Sequence, residues 1–405
     1  MQTLRLPLWR RNQFTIIFTI FVTLLGFYFV TPFLPLYLQD LGVTDPRQAA
    51  LWAGLTLGVA PLLTSIASPF WGVMADRYGY KLMLQRSLVL FVLITVLMGL
   101  ARHPWQLLAL RAAHGLLGGF GALSMTLVSI TAPTERMSEA MSMVQSARVL
   151  GAAVGPIIGG VLADSLGIRY SFFVTAGMCA VALLIITWGA QTDVATGARA
   201  STTRGSRPPW RVLIGISGFG TLLILLLAIH SLGMSLGPVL PLYVLALGVP
   251  TQGIASVAGL AVGLAAVANA LAALAVGRWG ARYSMPVLLL MVLASGALWS
   301  FLLAAVVAVG PMLALVVLLG MTSGSALTLA YTIGAHLIPE GYRGIGIGVL
   351  TSATMLGAAS GPFLAGGIAT VSLRSVFLVN SGLYLCAALG ALLFLRRQRS
   401  NTCQL

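Results

Sequence analysis

Charge is what this chain has least of. Only 8% of its 405 residues are charged, and the acids number eight: Asp40, Asp45, Asp76, Glu135, Glu139, Asp164, Asp193 and Glu340. A soluble domain carries roughly 25% charged residues. With 59% hydrophobic residues, the chain cannot cover its surface with polar groups, so lipid must. Cysteine is scarce too: Cys179, Cys386 and Cys403 show no metal spacing, and the first two fall in apolar runs as small core residues. HExxH is missing, no nucleophile clusters with a base, and the acids are too dispersed for paired-carboxylate chemistry. These absences argue against an enzyme, and neither a metal nor a cofactor is expected.

What remains is a succession of apolar runs of about 20 residues, each long enough to cross a hydrocarbon core as a helix. Twelve spans are expected, at 14–38, 50–73, 87–101, 105–131, 141–163, 170–190, 212–245, 253–276, 287–309, 312–335, 345–369 and 376–395. The fold class is therefore an all-α polytopic membrane protein. The first span follows RLPLWRRNQ, is too long for a signal-peptide core and has no small-residue cleavage site after it, so it is expected to be retained.

A net charge of +15 raises the question of a nucleic-acid partner, which the distribution of the charge answers. With the N-terminus in the cytoplasm, 17 of the 23 Lys and Arg fall on that side and four (Arg47, Arg102, Arg169, Arg374) on the other; Arg111 and Arg148 lie inside spans. This is the positive-inside bias; it predicts a multi-pass protein of the inner (cytoplasmic) membrane with both termini cytoplasmic and no nucleic-acid partner.

The chain also repeats itself. PFLPLYLQDLGV at Pro32 returns as PVLPLYVLALGV at Pro238 with eight of twelve positions identical, AGLTLG at Ala53 as AGLAVG at Ala258, and GPIIGG at Gly155 as GPFLAGG at Gly361. The offset of about 206 residues divides the chain into six-span bundles at 1–190 and 212–405, joined by a polar, Arg-, Gly- and Pro-containing cytoplasmic linker at 191–211. Six spans per copy preserve orientation, so the repeat is parallel and places a shared site between the halves near midplane.

GVMADRYGYKLML, residues 72–84, concentrates Asp76, Arg77 and Lys81 in the expected turn between the second and third spans. A topology anchor needs the bases but neither the acid nor Gly72 and Gly79. The second half keeps Arg278 and Arg282 there but has Ala281 in place of the acid. This stretch resembles the loop signature of the major facilitator superfamily; ALRAAHGLLGGFGA from Ala109 and RVLGAAVGPIIGG from Arg148 resemble its fourth- and fifth-helix signatures. The order and spacing are similar to the twelve-helix drug:proton antiporter branch. The resemblance implies two pseudo-symmetric six-helix bundles and alternating-access export of lipophilic drugs or small molecules in exchange for protons. It also implies a gate in which Asp76, supported by Arg77, meets the start of the eleventh helix near Gly344, and a cavity role for Arg111 beside a proton-carrying group.

Arg111 lies about two turns into the fourth span, where snorkelling is the plainer alternative. No acid is expected deep in the bilayer, so Asp40 and Asp164, at span ends, are the nearest proton carriers unless they are ordinary interfacial acids. His114 and His230 are embedded titratable groups that serve coupling or packing. Gly151, Gly155, Pro156, Gly159 and Gly160, and in the second half Gly357, Gly361 and Pro362, recur at helical spacing and allow close helix approach. Tyr28, Gln145, Asn269 and Tyr331 are candidate substrate contacts. A cavity without deep negative charge favours neutral, lipophilic or anionic substrates. The expected partners are a small-molecule substrate, protons and membrane lipids, with the protein a monomer. A dedicated exporter of a metabolite such as a sugar or lysolipid fits the same machinery, and a non-transporting sensor remains an alternative.

Overall fold

The computed structural model describes residues 8–133, 136–189, 216, 218–279, 283–339 and 343–402, and every regular element among them is helical. The first span is α1 (Leu8–Val30), a 3-10 turn (Thr31–Phe33) and α2 (Leu34–Asp40). The next five are α3 (Pro46–Tyr78), α4 (Tyr80–Gly99), the pair α5 (Pro104–Leu117) and α6 (Phe120–Thr131), α7 (Met137–Leu166) and α8 (Ile168–Gly189). The remaining six are the pair α9 (Phe219–Met234) and α10 (Leu240–Ala246), then α11 (Ile254–Trp279), α12 (Met285–Ala304), α13 (Val309–Leu337), α14 (Arg343–Ala369) and α15 (Leu373–Thr402). Ten segments are continuous, apolar and long enough to cross a membrane; the α5/α6 and α9/α10 pairs supply the fourth and seventh spans. Large apolar side chains such as Trp188, Ile224 and Leu274 stand exposed on the outside, as they must where the solvent is lipid.

Proline explains two of the interruptions. It has no amide hydrogen to donate and its ring disfavours a helical residue before it. Pro32 sits in the 3-10 turn and Pro35 in the first turn of α2; Pro241, the repeat equivalent of Pro35, opens α10. The expected continuous helix at 212–245 is thus two helices.

Two compact units divide the chain: residues 1–43, 62–200 and 250–263 form one, and 44–61, 201–249 and 264–405 the other. In the first, α1 packs on α7 and α8, and α4 on α8, around a core that includes Ile16, Ile20, Leu84, Leu88, Val128 and Ile186. In the second, α12 packs on α15 and α13, and α9 on α14. The internal repeat is visible atom by atom. Tyr37 donates its hydroxyl to the Met98 carbonyl at 2.9 Å and lies 4.8 Å from the Phe172 ring. Tyr243 donates to the Leu303 carbonyl at 2.9 Å and lies 4.8 Å from Phe377. In each unit a buried tyrosine ties off the carbonyl end of a helix, using a donor where the helix has run out of its own.

Candidate functional site

The charged stretch at 72–84 is not the loop expected of it. α3 continues to Tyr78 and α4 begins at Tyr80, so Gly72, Asp76 and Arg77 are helical and the turn is Gly79 alone. Its φ of +92° lies in the region that glycine enters without a Cβ clash. Asp76 is exposed in the last turn of α3 and accepts a hydrogen bond from the Tyr80 hydroxyl. The Arg77 guanidinium stands 5.4 Å from the Tyr78 ring. Lys81 donates to the Thr187 carbonyl at 3.2 Å, placing a cation at the negative end of α8. Gly344 is in the first turn of α14, and its surroundings lie outside the described residues.

The fourth span, expected as one helix over 105–131, is broken at Gly118 and Gly119, the latter at φ +82°. A break inside a span strands the last carbonyls of α5, and lipid cannot satisfy them. Side chains do so instead. Thr64 donates to the Gly115 carbonyl at 3.1 Å and Trp71 Nε1 to Leu116 at 2.7 Å. Arg86 Nη2 donates to Leu117 at 2.9 Å and Gly118 at 3.0 Å, and Ser87 to Gly118 at 2.7 Å. Arg86 also lies 3.4 Å over the Trp71 ring. A residue that sequence reasoning counted only toward topology is therefore a helix cap. The signal that could have exposed the break was the Gly118-Gly119 pair, read only as part of a glycine run.

Arg111 sits seven residues after the start of α5 at Pro104, about 10 Å along its axis. It is 5% exposed. Nη2 reaches the Thr31 hydroxyl at 3.5 Å, the guanidinium stands 5.5 Å from the Phe27 ring, and Nε has no partner. His114, one turn on, meets Phe91 edge to face at 4.4 Å and Phe27 at 6.0 Å, and its Nδ1 is buried without a partner. Both residues line one cleft with Thr31, Thr95, Phe172 and Thr175, and no carboxylate lines it. Placing an arginine at the centre of a membrane helix costs about 2.5–3.5 kcal/mol on insertion scales. An aromatic face returns roughly 0.5–2 kcal/mol of that.

The other described acids lie at or beside helix ends. Asp40 is exposed at the end of α2. Asp164, in the last turn of α7, accepts from the backbone amides of Ala255 at 3.2 Å and Ser256 at 2.7 Å, capping the first turn of α11 with a charge that suits its positive end. The glycines of α7 lie against backbone. A Cβ at Gly155 would come 2.9 Å from the Leu25 carbonyl oxygen, and one at Gly159 or Gly160 would run into the carbonyls of Phe29 or Ala255. In the second unit, a Cβ at Gly357 would lie 2.5 Å from the Leu227 carbonyl and 3.0 Å from the Cβ of His230, and one at Gly361 would strike the Ser231 carbonyl. Pro156 and Pro362 offer their own carbonyls to Gly259 and Gly54. Tyr28 packs on Gly155 and edge-on to Phe27 at 5.5 Å. Gln145 is exposed on α7. Asn269 is half-buried with its backbone against Gly324, and the Tyr331 hydroxyl lies 3.0 Å from Thr354 Oγ1.

The profile of the Major Facilitator Superfamily matches residues 16–263 and 251–403, which together span nearly the whole chain. The chain belongs to the major facilitator superfamily. Among relatives of this superfamily, multidrug resistance protein MdtG of Yersinia enterocolitica is 32% identical over 391 residues, covering 96% of this chain and 94% of that one. MdtG of Serratia proteamaculans is 33% identical over 374 residues, covering 92% and 91%. In solved structures, a bacterial homologue of the human lysosomal transporter Spinster, inward-facing and occupied, superposes with a TM-score of 0.79 at 15% identity over 97% of this chain and 98% of its own. The major facilitator fold, twelve helices in two pseudo-symmetric bundles, is thus this chain's fold, and the protein is embedded in the membrane by multiple passes.

Proposed function

We propose that this protein exports lipophilic small molecules by alternating access, driven by inward proton flow, from the inner membrane of a bacterium. The observation that carries the substrate class and the coupling site is the Arg111–His114 pair: a buried cation beside a buried, unpartnered imidazole, in a discontinuous span, with no carboxylate in the cleft. Discontinuous spans are where major transporter folds build their sites. His114 is the group next to Arg111 able to carry a proton, and it takes the place that an acid holds in a cation exporter; His230, Asp40 and Asp164 are secondary. A cleft that is positive or neutral, never negative, receives neutral or anionic molecules more readily than organic cations. Relatives named as multidrug resistance proteins support the drug-export reading.

Asp76, with Arg77 and Lys81 beside it, is the cytoplasmic gate catch, exchanging its Tyr80 partner for the first turn of α14 near Gly344 when the protein opens outward. Tyr28, Gln145, Asn269 and Tyr331 contribute to substrate contact. The sequence halves 1–190 and 212–405 are the moving bundles, with 191–211 as the cytoplasmic linker. The protein works as a monomer among membrane lipids with both termini cytoplasmic, as its arginine distribution favours.

The test is dye efflux in everted vesicles under an imposed pH gradient. Wild type extrudes a lipophilic dye only while the gradient lasts; Asp76→Asn and Arg111→Ala reduce the rate at least tenfold at unchanged membrane abundance. Gradient-independent efflux, or full activity in both variants, overturns the reading.

A further inference from the structure

Arg111 is a buried cation, and among the described residues no carboxylate lines the cleft around it. Its Nε and the Nδ1 of His114 are both buried and unpartnered, they belong to residues three apart on one face of α5, and both residues line the same cleft. Thr31 offers its hydroxyl at 3.5 Å from Nη2, and the remaining wall includes the rings of Phe27, Phe91 and Phe172 and two further threonines, Thr95 and Thr175. Five of the chain's eight acids are among the described residues, and none of the five lines the cleft. Asp40, the acid closest in sequence to Thr31, is nine residues beyond it at the exposed end of α2. Asp45, Asp76, Glu139 and Asp164 lie beside or within terminal turns of other helices. Glu135, Asp193 and Glu340 lie outside the described residues. Arg111 is six residues or more from either end of α5, and none of the described acids lines its cleft. Buried charges in proteins are paired or ligated.

We propose that the cleft beside Arg111 and His114 is a binding site for a small monovalent anion. Arg111 Nε–H and, in the matching tautomer, His114 Nδ1–H donate to the anion, and the aromatic walls exclude water from it. Two sources have this chemistry: a free halide, or the anionic group of a carried molecule. The cleft has room for about one water-sized particle, which favours the halide. A bound water would satisfy the two donors but leave the charge uncompensated. The proposal does not rest on drug export, and its test does not read transport.

Purified full-length protein in lipid nanodiscs is melted in chloride and in gluconate at equal ionic strength, and binding of radiolabelled chloride is measured directly. Wild type is expected to show a saturable rise in melting temperature of a few degrees with chloride or bromide, as a ligand of the native state gives, together with saturable chloride binding. Arg111→Gln, which removes the charge but leaves a polar amide on the same stem, loses both; Arg111→Lys keeps a weakened response. Competitive displacement of chloride by an anionic transported compound also supports the site, and assigns it to the cargo's anionic group. Wild type that melts identically in chloride and gluconate and retains no chloride overturns the proposal whether or not the variants fold. A chloride response undiminished in Arg111→Gln overturns it as well.

Discussion

Glycine is the residue that sets the helix spacing here, and not every glycine does so. On α7, Gly159 faces the Phe29 carbonyl with no room for a methyl, a Cβ at Gly151 would stand 3.2 Å from both the Leu24 Cβ and the Leu25 backbone nitrogen, a milder crowding, and on α8 Gly177 faces open space. Backbone cannot rotate away as a side chain can, so an added Cβ at Gly159 must push α7 off α1. Gly159→Ala is expected to destabilise by about 1–3 kcal/mol, the usual penalty of overpacking, Gly151→Ala by less. Gly177→Ala should be neutral or slightly stabilising, because alanine is the better helix former. Thermal unfolding of the purified variants gives the ranking; Gly177→Ala as the worst of the three would refute the packing geometry. Glycine count and spacing alone could not separate these cases. The recurrence at 151, 155 and 159 reveals a helix face, but which carbonyl it meets depends on the path of α1.

Among the elements, the apolar runs made the twelve spans legible, because a backbone in lipid has no option but to satisfy itself within a helix. Helix ends were less so. Charge at Asp76 and Arg77 marks where the chain leaves the hydrocarbon, yet a charged residue is at ease in a helix emerging into water, and α3 runs on to Tyr78. The break in the fourth span was hidden for another reason. A Gly-Gly pair permits a kink, but what makes one tolerable is the set of donors from α3 and α4, Thr64, Trp71, Arg86 and Ser87, which are remote in sequence. Two substitutions separate the backbone contribution from the cap. Gly119→Ala places a Cβ on a residue at φ +82°, a strain of about 1–2 kcal/mol. Arg86→Met keeps the apolar stem, strands the carbonyl of Leu117 and leaves that of Gly118 to Ser87 alone, with an expected loss of about 1–3 kcal/mol. Both are expected to lower the unfolding temperature; the double variant should fall short of the sum, since relaxing the break frees the carbonyls to find helical partners. Full additivity would mean that the cap and the break are independent.

For the molecule as a whole, the repeat was legible because duplication copies residues along with their contacts: Tyr37 and Tyr243 fill equivalent places in the two units. The candidate site was legible only in part. Arg111 and His114 stood out as polar groups in an apolar span, but their shared cleft with Phe27, Phe91 and Thr31 depends on how α1, α4 and α5 pack. One whole-molecule property follows from the acids being few and from none of the described ones lining the Arg111 cleft. A transporter that binds an organic cation at depth must offset the loss of that cation's hydration with a negative group, and here the cleft contains a positive one. Everted vesicles given dyes of similar size and lipophilicity but different charge should therefore extrude neutral and anionic dyes under a pH gradient, with the cationic dye moved at least tenfold more slowly. Introducing a carboxylate with Thr31→Asp, beside Arg111 in the same cleft, should depress anionic-dye efflux while sparing the neutral dye, because it supplies from within the protein the counter-charge the cleft lacks. Rapid efflux of the cationic dye by wild type would mean that the negative group is delivered by another part of the chain, and that the Arg111 cleft does not decide what is carried.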